Sequence, residues 1–204
     1  MDETALIKLA KKGDLDAFNR LVIAYQDTVF NLAYRMLHND PAAQDATQDA
    51  FISAYEKLNA YRGGSFKAWI LRIAANKCYD ELRRWKRRPE TNLYPSNPEN
   101  EEEVEDPVWL ADDNQSPEDG IEQKELEEVI QGCIDALPDE YKAVVILVDI
   151  QGLDYKNASW IVESPIGTIR SRLARARKRL QDCLRGFLEL LPDKFRLNYE
   201  SRPK

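Results

Sequence analysis

The apolar positions of this 204-residue chain recur three and four residues apart, which is the period of one face of an α-helix. Residues 14–37 form one long amphipathic pattern, with apolar side chains at Phe18, Leu21, Val22, Tyr25, Val29, Leu32 and Met36. Residues 126–137 repeat the period at Leu126, Val129, Ile130, Cys133, Ile134 and Leu137, and Pro138 ends it. Strand alternation and hairpin dipeptides are absent from both halves. The pattern therefore predicts an all-α protein.

A strongly basic helix is predicted near the carboxyl end. Its apolar stripe consists of Ile169, Leu173, Ala176 and Leu180, while residues 170–179 carry six basic side chains and no acid. A helix that packs on one side and is densely basic on the other is suited to a DNA groove, where its cations neutralise phosphates. A solvated basic helix end is the alternative interpretation of such a charge run.

A shorter apolar helix precedes the basic one and favours the DNA interpretation. Asp154 is its predicted N-cap, and Ala158, Ile161 and Val162 form its apolar face. The segment Glu163-Ser164-Pro165 then breaks the helix before the basic helix begins. A short helix, a tight turn and a basic second helix together predict a helix-turn-helix motif.

Two further motifs stand in the amino-terminal half. Asp40-Pro41 predicts a helix start, with Asp40 as the cap and Pro41 as the first helical residue. That helix carries Asp45, Gln48, Asp49 and Phe51. After a predicted loop at residues 59–65, residues 66–84 read Phe-Lys-Ala-Trp-Ile-Leu-Arg-Ile-Ala-Ala-Asn-Lys-Cys-Tyr-Asp-Glu-Leu-Arg-Arg. Trp69, Ile70, Ile73 and Ala74 follow helical spacing there and are predicted to be core.

In their order and spacing, these motifs resemble those of bacterial RNA polymerase sigma factors of the sigma-70 superfamily, most of all the extracytoplasmic function (ECF) group. The resemblance covers about residues 5–90 and 122–186. The chain departs from the family pattern at Asn157-Ala158-Ser159, where Glu-Ile-Ala is usual, and at Glu163, where the turn usually has Gly. A non-Gly residue at positive φ costs on the order of 1 kcal/mol, so this turn is expected to differ or to be slightly strained.

The resemblance implies that each half reads one promoter element. The second half would read the −35 element in the major groove through Thr168, Arg170, Ser171, Arg172, Arg175 and Lys178. The first half would recognise the −10 element and capture an unpaired base through Tyr61, Arg62, Ser65, Asn76, Asp80, Arg83 and Arg84. A solvated helix end is the alternative interpretation of Asn76 and the two arginines.

The resemblance also implies protein partners. The first half would dock on the β′ clamp helices of core RNA polymerase through Asp45, Gln48, Asp49 and Phe51, although Phe51 is equally suited to the core. The second half would bind the β flap, and an anti-sigma factor would regulate the protein. Asp45 and Asp49 have no third ligand nearby, so the sequence predicts neither a metal site nor a cofactor. Catalysis would belong to the polymerase, and the chain would not be an enzyme.

Charge and proline content divide the chain into segments. We predict a region 2-like helical bundle at residues 1–88, an acidic linker at 89–121, a region 4-like helix-turn-helix domain at 122–191 and a tail at 192–204. Residues 89–121 hold five of the ten prolines. Residues 89–128 carry a net charge of −14 against −7 for the whole chain, so the remainder carries +7. The linker is therefore expected to compete with DNA for the basic domains, to occupy basic channels of the polymerase, or else to act as a spacer. Within it, Val108-Trp109-Leu110 is an apolar triplet suited either to packing on a domain or to docking on a partner.

The remaining features bear on compartment and class. No apolar run is long enough to span a bilayer, and Met-Asp-Glu at the start does not predict a signal peptide. Cys78, Cys133 and Cys183 are far apart and are expected to be buried thiols of a cytoplasmic protein rather than a zinc site or a disulfide framework. Two alternative classes remain: a regulator that binds duplex DNA without polymerase, and a scaffold that binds polymerase without promoter choice.

Overall fold

The structure, a computed structural model, describes residues 2–87 and 117–190, with side chains from residue 124 onward in the second range. Its helices are α1 (Glu3–Ala10), α2 (Leu15–Leu37), α3 (Asp40–Lys57), α4 (Phe66–Arg87), α5 (Pro117–Asp135), α6 (Asp139–Val145), α7 (Tyr155–Ile161) and α8 (Ile166–Leu184). Short 3₁₀ turns follow α3 and α8, and a π-helical turn at Ile146–Ile150 continues α6. No strand occurs within these ranges, and the all-α prediction is confirmed.

Short polar side chains begin the helices of the first domain. Asp14 caps α2 by accepting a hydrogen bond from the Ala17 amide at 3.0 Å, and Asn39 caps α3 by accepting from the Ala42 amide at 2.9 Å. The sequence predicted Asp40 as the second of these caps. The cap instead lies one residue earlier, because Asn39 has extended backbone angles and Asp40 is already helical.

Helices α1 to α4 pack around one apolar core. The largest side chains fully buried in it are Leu21, Leu32, Met36, Phe66, Ile70 and Leu71. The ring of Phe66 lies 5.4 Å from that of Tyr25, 5.6 Å from that of Tyr61 and 5.4 Å from that of Trp69, measured between centroids. This aromatic cluster fixes the beginning of α4 against α2 and against the loop before it. Of the predicted core residues on α4, Ile70 and Ala74 are fully buried, while Trp69 and Ile73 are half-buried against the same core.

The second domain is built around α8. Its predicted apolar stripe is confirmed, since Ile169, Leu173 and Ala176 are all buried against α6 and α7. The predicted cap of α7 is also confirmed, because Asp154 accepts from the Asn157 amide at 2.7 Å. Helix α5 begins at Pro117, five residues before the boundary predicted at 122. Most of the predicted linker, including Val108-Trp109-Leu110, and the predicted tail lie outside the described residues.

A disulfide joins the two longest helices of the second domain. Cys133 of α5 and Cys183 of α8 are bonded across a sequence separation of 50 residues, with Cα atoms 5.9 Å apart. The expectation of three free thiols was wrong for this pair, because the packing of α5 on α8 brings together residues that sequence spacing keeps apart. Cys78 remains a buried thiol in the first domain, and burial raises its pKa to about 12.

The two domains pack directly against each other. Helix α4 contacts α7, and α2 contacts α5 and α6. The buried side chain of Gln131 donates to the Arg35 carbonyl at 3.2 Å and accepts from the Arg35 guanidinium at 3.2 Å. No helix within the described ranges is long and apolar enough to cross a membrane.

Reduction of the Cys133–Cys183 disulfide should lower the free energy of unfolding by about 2–4 kcal/mol, because the bond closes a long loop in the unfolded chain. Urea denaturation with and without dithiothreitol measures the difference. The variant Cys183→Ala is the matched control, since reductant should leave its midpoint unchanged. A wild-type midpoint that does not move on reduction would contradict the prediction.

Candidate nucleic-acid and protein interfaces

The turn between α7 and α8 is closed by side chains and strained at one residue. The Ser159 hydroxyl donates to the Ser164 carbonyl at 2.6 Å, and the Ser164 amide donates to the Ser159 carbonyl at 3.1 Å. Glu163 has a φ of 51°, in the left-handed region that favours glycine. The strain predicted for this turn is therefore present, at a cost on the order of 1 kcal/mol.

The outer face of α8 is exposed and basic. Arg170, Ser171, Arg175 and Lys178 lie on it, opposite the buried stripe, and Thr168 is half-buried beside them. The Ser171 hydroxyl donates to the Thr168 carbonyl at 3.0 Å, and the Arg170 guanidinium lies 5.7 Å from the centre of the Tyr155 ring. The cations of this face are positioned to meet phosphates or base edges without moving the helix.

Two other arginines of α8 form ion pairs within the second domain. The Arg172 guanidinium donates to the Ser164 hydroxyl at 3.1 Å and pairs with Glu140, and only 21% of the side chain is exposed. Arg172 points inward because it lies three residues after Ile169 and four before Ala176, at the edge of the buried stripe. Arg177 pairs with Asp149, whose carboxylate raises the pKa of the guanidinium through a hydrogen bond. The structure thus separates Arg172 from the other predicted −35 residues.

A second polar face runs along α4. Asn76, Asp80, Arg83 and Arg84 are exposed there, with Arg83 donating to Asp80 at 3.1 Å and Arg84 donating to Glu81. The preceding loop exposes Arg62 and Ser65, which flank two glycines with φ of 96° and 95°. The Ser65 hydroxyl also caps α4 by accepting from the Ala68 amide at 3.1 Å. These predicted residues therefore line one continuous surface of loop and helix.

Tyr61 does not belong to that surface. Only 6% of the residue is exposed, its ring packs on Phe66 and Trp69, and its hydroxyl donates to the Gly64 carbonyl at 2.7 Å. Burial raises the pKa of the Tyr61 hydroxyl. The prediction that a base stacks on Tyr61 is corrected, because the ring closes the core beneath the loop and offers no open face.

An apolar groove of about 790 Å³ lies between α2 and α3. Its apolar lining consists of Phe18, Val22, Phe30, Phe51, Ile52 and Tyr55, and its polar lining consists of Gln26, Asp27, Asp40, Gln44, Thr47, Gln48 and Glu56. Ile52 and Tyr55 are 51% and 40% exposed, which is unusual for large apolar side chains in the middle of a helix. The groove has the shape and chemistry of a site for a partner helix.

Two of the four predicted polymerase-binding residues line this groove, and two do not. Gln48 and Phe51 line it, and Phe51 is also buried in the core, as one of its two interpretations expected. Asp45 and Asp49 are exposed on the same helix but do not line the groove, and Asp49 pairs with Lys77 at 3.4 Å. Sequence reasoning missed Ile52 and Tyr55. Their signal was available, since both are apolar residues next to the positions of the α3 core stripe.

No cluster of three or more residues suited to hold a metal ion occurs in the described part of the chain. The paired aspartates at positions 45 and 49 lie on the surface of α3, where Lys77 already neutralises one of them. What the geometry offers is therefore two basic surfaces and one apolar groove, which are suited to binding.

Comparisons with known proteins match two separate segments of the chain. Residues 21–88 match the Sigma-70 region 2 family, and residues 127–180 match the Sigma-70, region 4 family. The chain is 33% identical to the RNA polymerase sigma-H factor of Pseudomonas aeruginosa over 90% of this chain and 94% of that protein. It is 36% identical to the ECF RNA polymerase sigma factor SigW of Bacillus subtilis, over 88% of this chain and 95% of that one. The ECF RNA polymerase sigma-E factor of Escherichia coli is 32% identical over 89% and 94% of the two chains.

Solved structures share the fold. The sigma factor RpoE, in its complex with the anti-sigma factor NepR from Bartonella quintana, superposes with a TM-score of 0.63 at 23% identity, over 82% of this chain and 96% of that one. CnrH, in its complex with the cytosolic domain of CnrY, superposes with a TM-score of 0.65 at 21% identity, over 89% and 96% of the two chains.

Proposed function

The chain belongs to the ECF group of the sigma-70 family, and from that membership we propose how its two domains divide promoter recognition. As a sigma factor it directs core RNA polymerase to promoters and is not itself an enzyme. Our proposal concerns which residues bind DNA and which bind the polymerase. We assign residues 1–87 to the −10 element and the polymerase clamp, and residues 117–190 to the −35 element. The surfaces and the groove of these two domains support the assignment.

We propose that α8 reads the −35 element through its outer face. The observation that carries this proposal is that Arg170, Ser171 and Arg175 are exposed on the side of α8 opposite its buried stripe. An arginine that contacts a guanine with two hydrogen bonds discriminates between bases, whereas a cation on a phosphate does not. Lys178, nearer the carboxyl end of α8, is suited to phosphate, and Arg172 is given no base contact while it pairs with Glu140.

The −10 element and the opened strand are assigned to α4 and to the loop before it. Asn76 offers both a donor and an acceptor for a base edge, and Arg83 and Arg84 offer charge for the backbone. The loop contributes Arg62, Ser65 and the backbone of its two glycines. Tyr61 is left out of this surface because its ring is buried.

We assign the α2–α3 groove to the β′ clamp helices of the polymerase. An apolar floor with exposed Ile52 and Tyr55 fits an amphipathic helix, and the polar rim with Gln48 can set its register. We assign the β flap to the second domain on the family resemblance alone. An anti-sigma factor is a further proposed partner, since the sigma factor RpoE, which shares the fold, is bound by the anti-sigma factor NepR in its solved structure. We assign the protein to the cytoplasm, where the polymerase works.

Run-off transcription with purified core polymerase tests the proposed function as a whole. Specific transcripts should arise from a cognate promoter only when this chain is added. A regulator would instead bind duplex DNA tightly without polymerase, and a scaffold would bind polymerase without selecting a promoter.

Substitution of a base-contacting cation of α8 should affect DNA binding differently from substitution of a phosphate-contacting one. Arg175→Ala should cost about 1–3 kcal/mol of discrimination and change the ranking of −35 sequences, because it removes a base contact. Lys178→Ala should weaken all sequences alike and reduce the salt dependence of binding, because it removes a phosphate contact. Binding to a panel of −35 duplexes at several salt concentrations measures both effects. If Arg175→Ala preserved the ranking, the reading face would lie elsewhere around α8.

A charge in the groove should block the polymerase. Ile52→Glu should weaken core polymerase binding at least about tenfold, that is by about 1.4 kcal/mol, because a carboxylate would have to be buried against the partner helix. Ile23→Glu is the matched control, since Ile23 is 68% exposed and lies outside the groove lining. Equal affinities for the two variants would contradict the assignment.

A further inference from the structure

The loop between α3 and α4 is held from beneath by a lysine of α1. The Lys11 ammonium donates a hydrogen bond to the Tyr61 carbonyl, where the loop leaves the 3₁₀ turn at Leu58–Ala60. The same ammonium lies 5.6 Å from the centre of the Tyr61 ring. Hydrogen bonds from a charged donor are roughly twice as strong as those between neutral groups. This contact therefore ties the loop firmly to α1, across 50 positions of the sequence.

Lys11 is itself held in a rigid frame. It caps the carboxyl end of α1, where its amide donates to the Ile7 carbonyl at 3.0 Å and where the helix dipole favours a cation. Leu6, Ile7 and Ala10 bury the inner side of α1 in the core of the first domain. Helix α1 also precedes residues 21–88, which match the region 2 family. The anchor of the loop thus lies outside the matched segment.

A second contact holds the loop from the inside. The Tyr61 hydroxyl donates to the Gly64 carbonyl at 2.7 Å, three residues further along the loop. The Tyr61 ring cannot swing away, because it is buried against Phe66 and Trp69. Lys11 and the Tyr61 hydroxyl therefore fix the carbonyl groups at the two ends of the loop.

The loop depends on these ties, because two glycines in its middle give it little stiffness of its own. Gly63 and Gly64 have φ of 96° and 95°, in a region that glycine enters freely and other residues rarely adopt. A Cβ atom at either glycine would meet no described atom within 4 Å. Packing from outside therefore does not hold this part of the loop.

The two ties set the direction of two backbone donors. A trans peptide group is planar, so its N–H points away from its own C=O. The carbonyls of Tyr61 and Gly64 point inward to their donors, so the amide N–H groups of Arg62 and Ser65 point outward. Both residues are exposed, and neither amide has a backbone acceptor among the described residues. The loop thus presents two oriented donors to the solvent.

We infer that Lys11 is a positioning residue for base capture, which acts through the Tyr61 carbonyl to aim the Arg62 amide, beside that of Ser65, at an unpaired base of the −10 element. The inference rests on the proposed function of the loop and extends it to a residue that does not touch DNA. Two backbone donors suit the acceptor atoms on the edge of an unpaired base. Because the donors are ordered before the base arrives, less conformational entropy is lost on binding.

Backbone NMR of the free full chain tests the positioning without reference to transcription. Lys11→Met removes the charge and the donors but keeps the apolar stem, so the order parameters of residues 61–65 should fall from about 0.85 to below about 0.6. The Arg62 amide resonance should also shift, because the carbonyl of the same peptide group loses its donor. Lys11→Arg should restore both, since the guanidinium is again a charged donor.

The neighbouring lysine supplies a matched control. Lys12→Met makes the same change of charge one residue away, at an exposed position, and should leave the loop ordered. Met is a good helix former, so both Met variants should keep the helical circular dichroism and the thermal midpoint of wild type.

Binding of the holoenzyme to promoters with a pre-melted −10 element tests the role in capture. Lys11→Met should weaken binding about five- to tenfold and flatten the preference among the four bases at the captured position, because the backbone donors are no longer aimed. The slope of log affinity against log salt should stay as in wild type, since Lys11 contacts no phosphate. Arg83→Ala is the contrast, because removal of a phosphate contact should reduce that slope by about 1.

Each other outcome has a definite meaning. An ordered loop in Lys11→Met, or a failure of Lys11→Arg to restore order, would overturn the positioning role. A reduced salt slope for Lys11→Met would overturn it in favour of direct phosphate contact. A loosened loop with an unchanged base preference would overturn the role in capture. If the wild-type holoenzyme itself shows no base preference on these templates, the proposed function of the loop fails instead, while the NMR result still decides whether Lys11 orders the loop.

Discussion

Helix α4 buries its apolar side against α2 and α3, and this burial fixes the surfaces that the first domain presents along α4. Phe66, Ile70 and Leu71 are each 1% exposed or less, and burying an apolar side chain of this size stabilises the fold by about 1.5–3 kcal/mol. With that side held in place, the remaining sides of α4 have set directions. One exposes Asn76 and Arg83 to solvent, and another carries Arg72 against α7. A rotation of α4 within the bundle would lose the core and both surfaces together.

Some of the basic residues on α8 are already paired with acids, so the helix has less positive charge available for DNA phosphates than its sequence suggests. Asp149 and Glu140 pair with Arg177 and Arg172, respectively, inside the second domain. Paired cations release fewer counterions when DNA binds and add little to the salt dependence of affinity. Arg170 and Arg175 remain exposed on the outer face, so the −35 recognition that we propose would depend on a few well-placed side chains more than on net charge. The chain is acidic overall, at −7, because residues 89–128 carry −14, and this total coexists with a basic outer face on α8.

The sequence predicted those parts of the structure that local periodicity controls. The buried stripe of α8 at Ile169 and Leu173 and the cap at Asp154 follow from spacing within one helix, where each residue's environment repeats every turn. The burial of Tyr61 and the Cys133–Cys183 bond depend on which helix packs on which, and no local pattern carries that information. The inward direction of Arg172 was available from helical geometry, but its partner Glu140 lies 32 residues away in the chain.

Glu163 affects both the conformation of its own turn and the contact between the two domains. The φ of 51° is a cost confined to one turn, on the order of 1 kcal/mol, and a glycine there would remove it. An exposed ion pair contributes a similar or smaller amount, so the contact with Arg72 offsets the strain only in part. The cation–π contact of Arg72 with Trp160 adds to the attraction between the two domains. The residue that strains its own turn therefore also contributes to the contact between the two domains.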